Sequence, residues 1–408
     1  MKQQINKPIV AMKKTTVKNY TALLLALAFF LQAKSQTEAD NSINRVVTSA
    51  VPFLKISPDA RAGGMGDVAV ATNPDVNAVY FNLAKTPFVE SRTSISATYT
   101  PWLRDLGLTD VYLTSIAGYH KIDEEQALAA SIRYFSLGTI QFTDYAGNDI
   151  SQYRPREFAI DFGYSRKLSE KLGVGIALRY ISSNLAGGQA INGVQYKSGS
   201  AVSADLSLFH NGINTDGKGF NWGLAISNLG SKISYTSDAQ QKDYIPANLA
   251  IGVANTWVFD ENSKFTLSLD LNKLLVPTPP SINDTTPDAQ LNYRTKSVIS
   301  SWFSSFSDAG SFSDELKEIQ VGLGAEYGYN NQFFGRLGYF YEDKLKGNRK
   351  YFTVGVGLKY NVFGLNFSYL VPSGSGVNRN PLSNTLRFSL VFDLDDNTNG
   401  SGTAVSPN

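Results

Sequence analysis

The chain has 408 residues, with 37 Lys and Arg against 35 Asp and Glu, and this near balance leaves no electrostatic case for nucleic-acid binding. It has no Cys, which excludes disulfides, cysteine metal sites and a lipoprotein anchor. Charged residues make up only 18%, aromatic residues reach 12% and there are 34 Gly, a composition that suits a β protein in contact with a membrane better than a cytosolic enzyme.

The first 35 residues have the pattern of an export signal. Positive charge in "MKKTTVKNY", which starts at Met12, precedes the apolar run "ALLLALAFFL", which is too short to cross a bilayer as a helix. Small residues at Ala33 and Ser35 indicate a cleavage site. We therefore expect residues 1–35 to be a signal peptide, the true start to be Met12 and the mature chain to begin at Gln36.

From Thr93 onward, segments of about ten residues alternate between apolar residues and small or polar ones, as in "FAIDFGYS" and "KFTLSLDLN". Successive side chains of a strand point to opposite faces, so each segment has one apolar and one polar face. Their length matches the ~9–11 residues that a tilted strand needs to cross a membrane. The fourteen segments lie near residues 93–101, 111–120, 126–136, 156–166, 172–182, 201–210, 220–228, 248–258, 264–272, 319–328, 332–341, 351–360, 363–371 and 385–394.

The connections between these segments alternate in length. Those after even-numbered segments are short, as in "KLSEK" and "YNN", and most of the others are longer, up to the 46 residues of 273–318. A soluble sandwich has no reason to alternate in this way, whereas an outer-membrane barrel has short periplasmic turns and long outer loops. The sequence predicts an all-β fold, a 14-stranded antiparallel transmembrane β-barrel over 93–394, in the outer membrane with its loops facing the cell exterior. A disordered periplasmic tail is expected over 395–408.

Residues 36–92 precede the first strand and contain the run "RAGGMGD". The run lacks the Lys-Ser/Thr of a phosphate-binding loop and follows no βα unit, which disfavours that interpretation. A barrel of about fourteen strands encloses space, and glycines let a backbone approach its wall closely. We interpret 36–92 as an N-terminal plug in the lumen, with Gly63, Gly64 and Gly66 as packing glycines and Asp67 as a partner for wall charges.

Nine charged residues fall on the polar face of the predicted strands, five basic and four acidic. Such a wall is expected to pair with itself and with plug residues such as Arg61 and Asp67, whereas a selective ion pore more often carries one dominant sign. The nine are Arg133, Arg179, Arg336, Lys359, Arg387, Asp161, Asp205, Asp270 and Glu326.

Little in the sequence points to catalysis. There are two histidines, His120 and His210, and neither a Gly-x-Ser-x-Gly nor a His-Glu-x-x-His motif occurs. We expect no catalytic residue, no metal and no cofactor, and a protein that is not an enzyme. A lipid hydrolase needs only one Ser–His pair, so that alternative stays open.

The long connection 273–318 contains "SVISSWFSSFSDA", in which five apolar residues recur on one helical face with serines opposite. A helix here either caps the barrel mouth or offers an aromatic docking surface for a partner, and the two interpretations are compatible. The five residues are Val298, Ile299, Trp302, Phe303 and Phe306.

The stretch "SPDARAGGMGDVAVATNPDVNAVYFNLAKTPF" ahead of a fourteen-strand barrel resembles the PorV family, outer-membrane barrels of the type IX secretion system of Bacteroidetes, which are similar in fold to the FadL fatty-acid transporters. The resemblance covers essentially the whole mature chain, and Ala60–Asp67 and Asn73–Asp75 are its most specific parts. The family often has Asn-Pro-Ala where this chain has Asn82-Leu83-Ala84. This departure puts a FadL-like gating role for the turn in doubt.

The resemblance implies a non-enzymatic role in type IX secretion. In that family the protein associates with the large translocon barrel, receives folded cargo by its C-terminal signal domain and passes it to a surface attachment complex containing a sortase-like protease. Outer-membrane lipid and lipopolysaccharide are the other expected partners. Two alternatives remain: a FadL-like transporter of hydrophobic small molecules, which needs an apolar cavity, and a general porin, which needs an open lumen.

Overall fold

The structure, a computed structural model, describes residues 45–143, 146–191, 194–238, 242–280, 286–371 and 384–394. The predicted signal peptide, the predicted tail over 395–408 and the first nine residues of the predicted plug lie outside the described residues.

Fourteen antiparallel strands form one closed barrel in which every strand pairs with its neighbour in sequence. This confirms the predicted fold class, and each strand lies within two residues of its predicted bounds at both ends. The strands are β1 Thr93–Pro101, β2 Val111–Lys121, β3 Gln126–Leu137, β4 Arg156–Lys167, β5 Leu172–Asn184, β6 Gly199–His210, β7 Gly219–Gly230, β8 Asn248–Val258, β9 Ser263–Leu274, β10 Gln320–Tyr329, β11 Phe333–Tyr341, β12 Lys350–Tyr360, β13 Phe363–Val371 and β14 Leu386–Leu394.

The barrel closes where the first strand meets the last. Thr93 pairs with Leu394, so β1 and β14 form the same antiparallel ladder as the other neighbours. Side chains alternate along the wall: in β4 the Asp161 side chain is buried, while Ile160 and Phe162 are 45% and 59% exposed. The apolar face therefore points away from the barrel and the polar face points into it, as the two-residue period predicts.

The two ends of the barrel differ. At one end the strands are joined by two to eight residues, and at the other, hereafter the long-loop end, by eight to forty-five. The long-loop end carries three small two-stranded ladders that the sequence did not predict, formed by Ile140–Thr143 with Asp149–Tyr153, Ala190–Ile191 with Val194–Gln195, and Ile233–Ser234 with Lys242–Asp243. Arg104–Leu106 forms a 3-10 turn there.

The α-helices among the described residues are few and short. One, α1 at Ala60–Gly63, precedes the barrel, and the longest loop holds the other three: α2 Pro287–Thr295, α3 Val298–Ser304 and α4 Phe312–Lys317. Within the part of the chain that the structure describes, no helix has the length and apolar character needed to cross a membrane.

Residues 45–92, hereafter the N-terminal segment, run from the long-loop end to the short-turn end. Arg45 donates to the carbonyl of Pro279 at 2.9 Å, and the carbonyl of Arg92 accepts from Lys121 at 2.8 Å, next to the start of β1. Between these points the segment has α1 and three 3-10 turns, Pro52–Lys55, Val76–Tyr80 and Leu83–Phe88. It contacts all fourteen wall strands around the ring.

Candidate functional site

Arg61 links the N-terminal segment to the wall by a buried ion-pair network. Its guanidinium lies 2.9 Å from Glu326 of β10 and 2.7 Å from Asp75, a residue of the segment itself. Glu326 also accepts from Arg336 of β11 at 2.6 Å. One wall carboxylate therefore lies between two guanidinium groups, and removal of Glu326 would deprive both of their shared partner.

The predicted packing glycines bring the segment's backbone against the wall. Gly66 has φ +70°, a conformation that L side chains rarely adopt, and its N–H donates to Thr353 at 2.9 Å. From the wall side, a Cβ on Gly338 would lie 2.0 Å from the Gly66 nitrogen. Gly63 and Gly64 are also close to the wall, because a Cβ on them would lie 2.3 Å and 3.0 Å from wall atoms.

Asp67 contacts two wall residues. One carboxylate oxygen accepts from the Tyr351 hydroxyl at 2.6 Å, and the other lies 3.3 Å from the guanidinium of Arg387. Asp67 has φ +62°, a left-handed conformation that Asp tolerates better than most residues. The structure thus brings together Arg387, predicted as a wall charge, and Asp67, predicted as a plug residue that pairs with wall charges.

A second attachment lies at Asp270 of β9. Its Oδ2 accepts from the backbone N–H groups of Ala69 at 2.7 Å and Val70 at 2.9 Å. On the segment's other side, Lys85 donates to the Ala69 carbonyl at 2.8 Å and to Thr72 at 3.1 Å. Burial lowers the pKa of Lys85 to about 8. The turn at 69–72 is therefore fixed by hydrogen bonds to Asp270 of the wall and to Lys85 of the segment itself.

Asn82 also joins the segment to the wall; it is the first residue of the Asn82-Leu83-Ala84 turn, in which Leu83 stands where the family often has proline. Its amide nitrogen donates to the carbonyls of Val70 at 3.0 Å and Leu208 of β6 at 2.9 Å, and its oxygen accepts from the N–H of Ala84 at 3.2 Å. The hydrogen bonds at this turn therefore come from Asn82, with Leu83 in the place of the proline.

Four of the predicted wall charges form a separate buried cluster. Asp161 is hydrogen bonded to Arg179, and its Oδ2 lies 3.7 Å from the Arg133 guanidinium. Arg179 also pairs with Asp205 at 2.9 Å. Opposite charges thus pair along the wall from β3 to β6, as the near-neutral interior predicts. The ninth predicted charge, Lys359, lies at the short-turn end and pairs with Asp393 at 2.7 Å.

Two cavities lie between the segment and the wall. One, of about 750 Å³, is at the short-turn end, and its lining includes Arg61, Asp75, Glu326, Lys359 and Asn366. The other, of about 110 Å³, is nearer the long-loop end, and its lining includes Lys55, Asp67, Arg133, Asn248 and Asp270. Charged and amide side chains are prominent in both linings. Across the described ranges, no group of three or more His, Asp or Glu side chains is arranged to hold a metal ion.

Helix α3 in the longest loop turns Ser301 inward, and Ser305 follows at its C-terminal end. Ser301 and Ser305 are fully buried, and the Ser301 hydroxyl bonds to the Tyr244 hydroxyl at 3.1 Å. Ile299 and Phe303 are 63% and 75% exposed. Of the five apolar residues predicted to share a face, three are exposed and two are partly buried: Ile299, Phe303 and Phe306, and Val298 and Trp302.

The longest loop is fixed to the barrel by ion pairs. Lys273 of β9 lies 3.0 Å from Glu315 and 2.7 Å from Glu318, and Lys346 of the neighbouring loop lies 2.8 Å from Glu318. Burial acts to raise the pKa of Glu318, but hydrogen bonds from the two lysines bring it below its ordinary value. Lys346 is therefore partly buried in this network.

The sequence interpretation missed the residues by which the N-terminal segment orders itself. Asp59 caps α1 by accepting from the N–H groups of Arg61 and Ala62, and Asp75 accepts from the N–H of Asn77. An Asp immediately before a short helical stretch is a recognisable N-cap signal and could have identified both. Lys85 has no such signal, because only the folded segment brings the Ala69 carbonyl and the Thr72 hydroxyl to its ammonium group.

The family model described as "Type IX secretion system protein PorV" matches residues 38–281. Among solved structures, the chain is similar to the Ralstonia pickettii toluene transporter TbuX, with 13% identity, 81% of this chain and 96% of that chain covered, and a TM-score of 0.49. It is also similar to the Pseudomonas putida toluene transporter TodX, with 11% identity, coverage of 82% and 98% and a TM-score of 0.45. A Pseudomonas aeruginosa FadL homologue matches with 11% identity, coverage of 85% and 99% and a TM-score of 0.42. No curated protein matches the sequence.

Proposed function

Because the chain belongs to the PorV family and is thus an outer-membrane component of the type IX secretion system, we propose that it binds cargo proteins by their C-terminal signal domain at the large translocon barrel and shuttles them to the sortase-like attachment complex at the cell surface. In this proposal the long-loop end faces the cell exterior, where cargo and attachment complex meet outer-membrane lipid and lipopolysaccharide. The role is non-enzymatic.

The observation that carries the proposal is the exposed apolar side of the longest loop. Ile299, Phe303 and Phe306 are 63%, 75% and 49% exposed, on a loop held by the Lys273 ion pairs. Exposed aromatic groups on a fixed support are typical of interaction sites, because little side-chain and backbone entropy is lost on binding. The buried serines support the docking interpretation of α3 over the interpretation as a cap.

The N-terminal segment supports a binding platform better than an open pore. Its backbone contacts the wall through Gly66 and Gly338, and its charges pair with Glu326 and Arg387. In this proposal it is a plug that closes the lumen to solutes while the loops engage partners. A general porin would require an unobstructed lumen.

A transporter of hydrophobic small molecules is the second candidate, and the barrel architecture is compatible with it. Such a protein needs an apolar cavity to receive its ligand. The two cavities between the segment and the wall instead have charged linings. Arg61 and Glu326 line one, and Arg133 and Asp270 line the other. Burying a hydrocarbon against these groups would desolvate them without replacing their hydrogen bonds, which favours the secretion role.

The test is an affinity pull-down of the tagged full-length protein from its native outer membrane, read by mass spectrometry. We expect a very large barrel, or secreted proteins that share a C-terminal domain, to be recovered. A double Ile299→Ser, Phe303→Ser variant is expected to lose at least about tenfold of this recovery, because two exposed anchors are removed. The matched control is Ile150→Ser, since Ile150 lies in another loop at the same end and is also 63% exposed.

Recovery of neither class of protein, with lipid or fatty acid alone accompanying the barrel, would overturn the shuttle proposal in favour of transport. Equal losses in the double variant and in the Ile150→Ser control would contradict the assignment of the docking surface to α3, while leaving the shuttle role in place.

A further inference from the structure

The smaller cavity, about 110 Å³, lies between the N-terminal segment, which contributes Lys55–Pro58 among other residues, and the wall. A single water needs only ~10–15 Å³ measured in this way, so the space suits a molecule of several heavy atoms. Its lining includes strand residues near the long-loop end, such as Asn248, Asn272 and Gln320.

One part of the lining is cationic, with unused donors. Lys55 bonds only to side-chain amide oxygens, those of Asn248 at 2.8 Å and Gln320 at 3.4 Å, and the structure places no carboxylate within 4 Å of its ammonium among the described residues. Arg133 is 2% exposed and donates to the Leu54 carbonyl at 3.2 Å, but its Nε and Nη2 have no hydrogen-bond partner in the described part of the chain. Buried donors of this kind require a partner.

The same lining offers unused acceptors. Asp270 is 1% exposed, and while its Oδ2 binds two backbone N–H groups, its Oδ1 has no hydrogen-bond partner within the described ranges. Ser57 also has a buried hydroxyl without such a partner there. Asp67 lines the cavity too, but the free side of its carboxylate lies 3.3 Å from Arg387. Positively charged hydrogen-bond donors and a negatively charged acceptor thus line the same cavity.

We infer that this cavity is a binding site for a small zwitterion of the amino-acid class. The ligand's carboxylate would accept from Lys55 and Arg133, and its ammonium would donate to Asp270. Both interactions are charge-assisted, which makes them stronger than the contacts of neutral groups. An apolar ligand would offer no partner to Nε of Arg133 or to Oδ1 of Asp270, which have none among the described residues, and a simple anion would offer none to Oδ1 of Asp270.

The purified full-length protein in detergent micelles provides the assay. Glycine, 4-aminobutyrate and 6-aminohexanoate share the same two charged groups and differ in the spacing between them. We expect at least one to raise Tm saturably, on the order of 5 °C at a hundredfold excess over its Kd. An equimolar mixture of butyrate and butylamine, which carries the same charges on separate molecules, is the control and should leave Tm unchanged.

Two isosteric variants locate the site. Lys55→Met and Asp270→Asn should each weaken binding of the effective compound about tenfold or more, because each removes one charge-assisted contact. Lys359→Met is the matched control, since Lys359 lies at the short-turn end and lines the other cavity. If a variant fails to fold, native mass spectrometry of the wild-type protein with the same compound reports saturable one-to-one binding directly.

The inference would be overturned if none of the three compounds raised Tm more than the mixture does. It would also be overturned if binding of the effective compound were unchanged in Lys55→Met. Neither result bears on the pull-down, so this site and the secretion role are tested separately.

Discussion

Replacing Gly338 by Ala should push the N-terminal segment away from the wall. Gly338 lies on β11, and a Cβ built on it would be 2.0 Å from the Gly66 nitrogen and 2.1 Å from the Met65 carbonyl carbon. Ordinary Cβ contacts begin near 3.4 Å, so the two backbones must separate by about 1.4 Å. The obstacle is backbone on both sides, which has no alternative rotamer to adopt.

The magnitude follows from two contributions. Forcing an extra methyl group into a closely packed contact destabilises by about 1–3 kcal/mol. The separation also breaks the hydrogen bond from Gly66 to Thr353, which leaves a buried N–H without a partner at about 1–3 kcal/mol. We therefore expect the free energy that favours the seated position of the segment to fall by about 2–6 kcal/mol. That loss is enough to populate a displaced state.

Two measurements on the full-length protein in lipid check this: the urea midpoint of unfolding, and ion conductance across a planar bilayer. We expect Gly338→Ala to lower the midpoint and to raise the conductance as the displaced segment opens a path. Gly335→Ala is the matched control, because Gly335 is on the same strand and a Cβ there meets no atom within 4 Å. Wild-type values of both quantities in Gly338→Ala would refute the seating of the segment against β11.

Three further predictions concern the pairing of buried groups. Glu326→Gln should destabilise by about 3–5 kcal/mol, because it leaves Arg61 and Arg336 without their shared carboxylate, and an unchanged urea midpoint would contradict this. Burial, assisted by the charge of Arg349, lowers the pKa of Lys55 to about 7. From about pH 7 to 10 the unfolded chain therefore holds a proton that the folded chain lacks, and the free energy of unfolding rises with pH. Lys55→Met should reduce the slope of the free energy of unfolding against pH by up to about 1.4 kcal/mol per pH unit. Urea unfolding measured from about pH 7 to 10 tests this, and parallel pH profiles for the variant and the wild-type protein would refute the lowered pKa of Lys55. Ser301→Leu should displace α3, giving faster amide hydrogen exchange over α3 with unchanged barrel strands, and wild-type exchange would argue against the buried serine contact.

The candidate site could be predicted only in part. Glu326, Arg336 and Asp270 were identified as inward charges because the two-residue period of a strand assigns each side chain to a face. Their partners were not identifiable, because Arg61 lies 265 residues from Glu326 in sequence and no local pattern relates them. The sequence also left open whether the apolar residues of α3 cap the barrel or form an exposed docking surface. In the structure Ser301 is hydrogen bonded to Tyr244, and Phe303 is exposed.

The sequence by itself determined the wall of this protein. Fourteen alternating segments with short and long connections are sufficient for a closed antiparallel barrel, since a strand in a membrane must satisfy every backbone group through a neighbour and any open edge is excluded. Only the tertiary structure decided what lies against the inner face of that wall. Close approach of Gly66 to Gly338 and the pairing of Arg61 with Glu326 depend on distances between segments far apart in the chain, and these exist only once the barrel has closed.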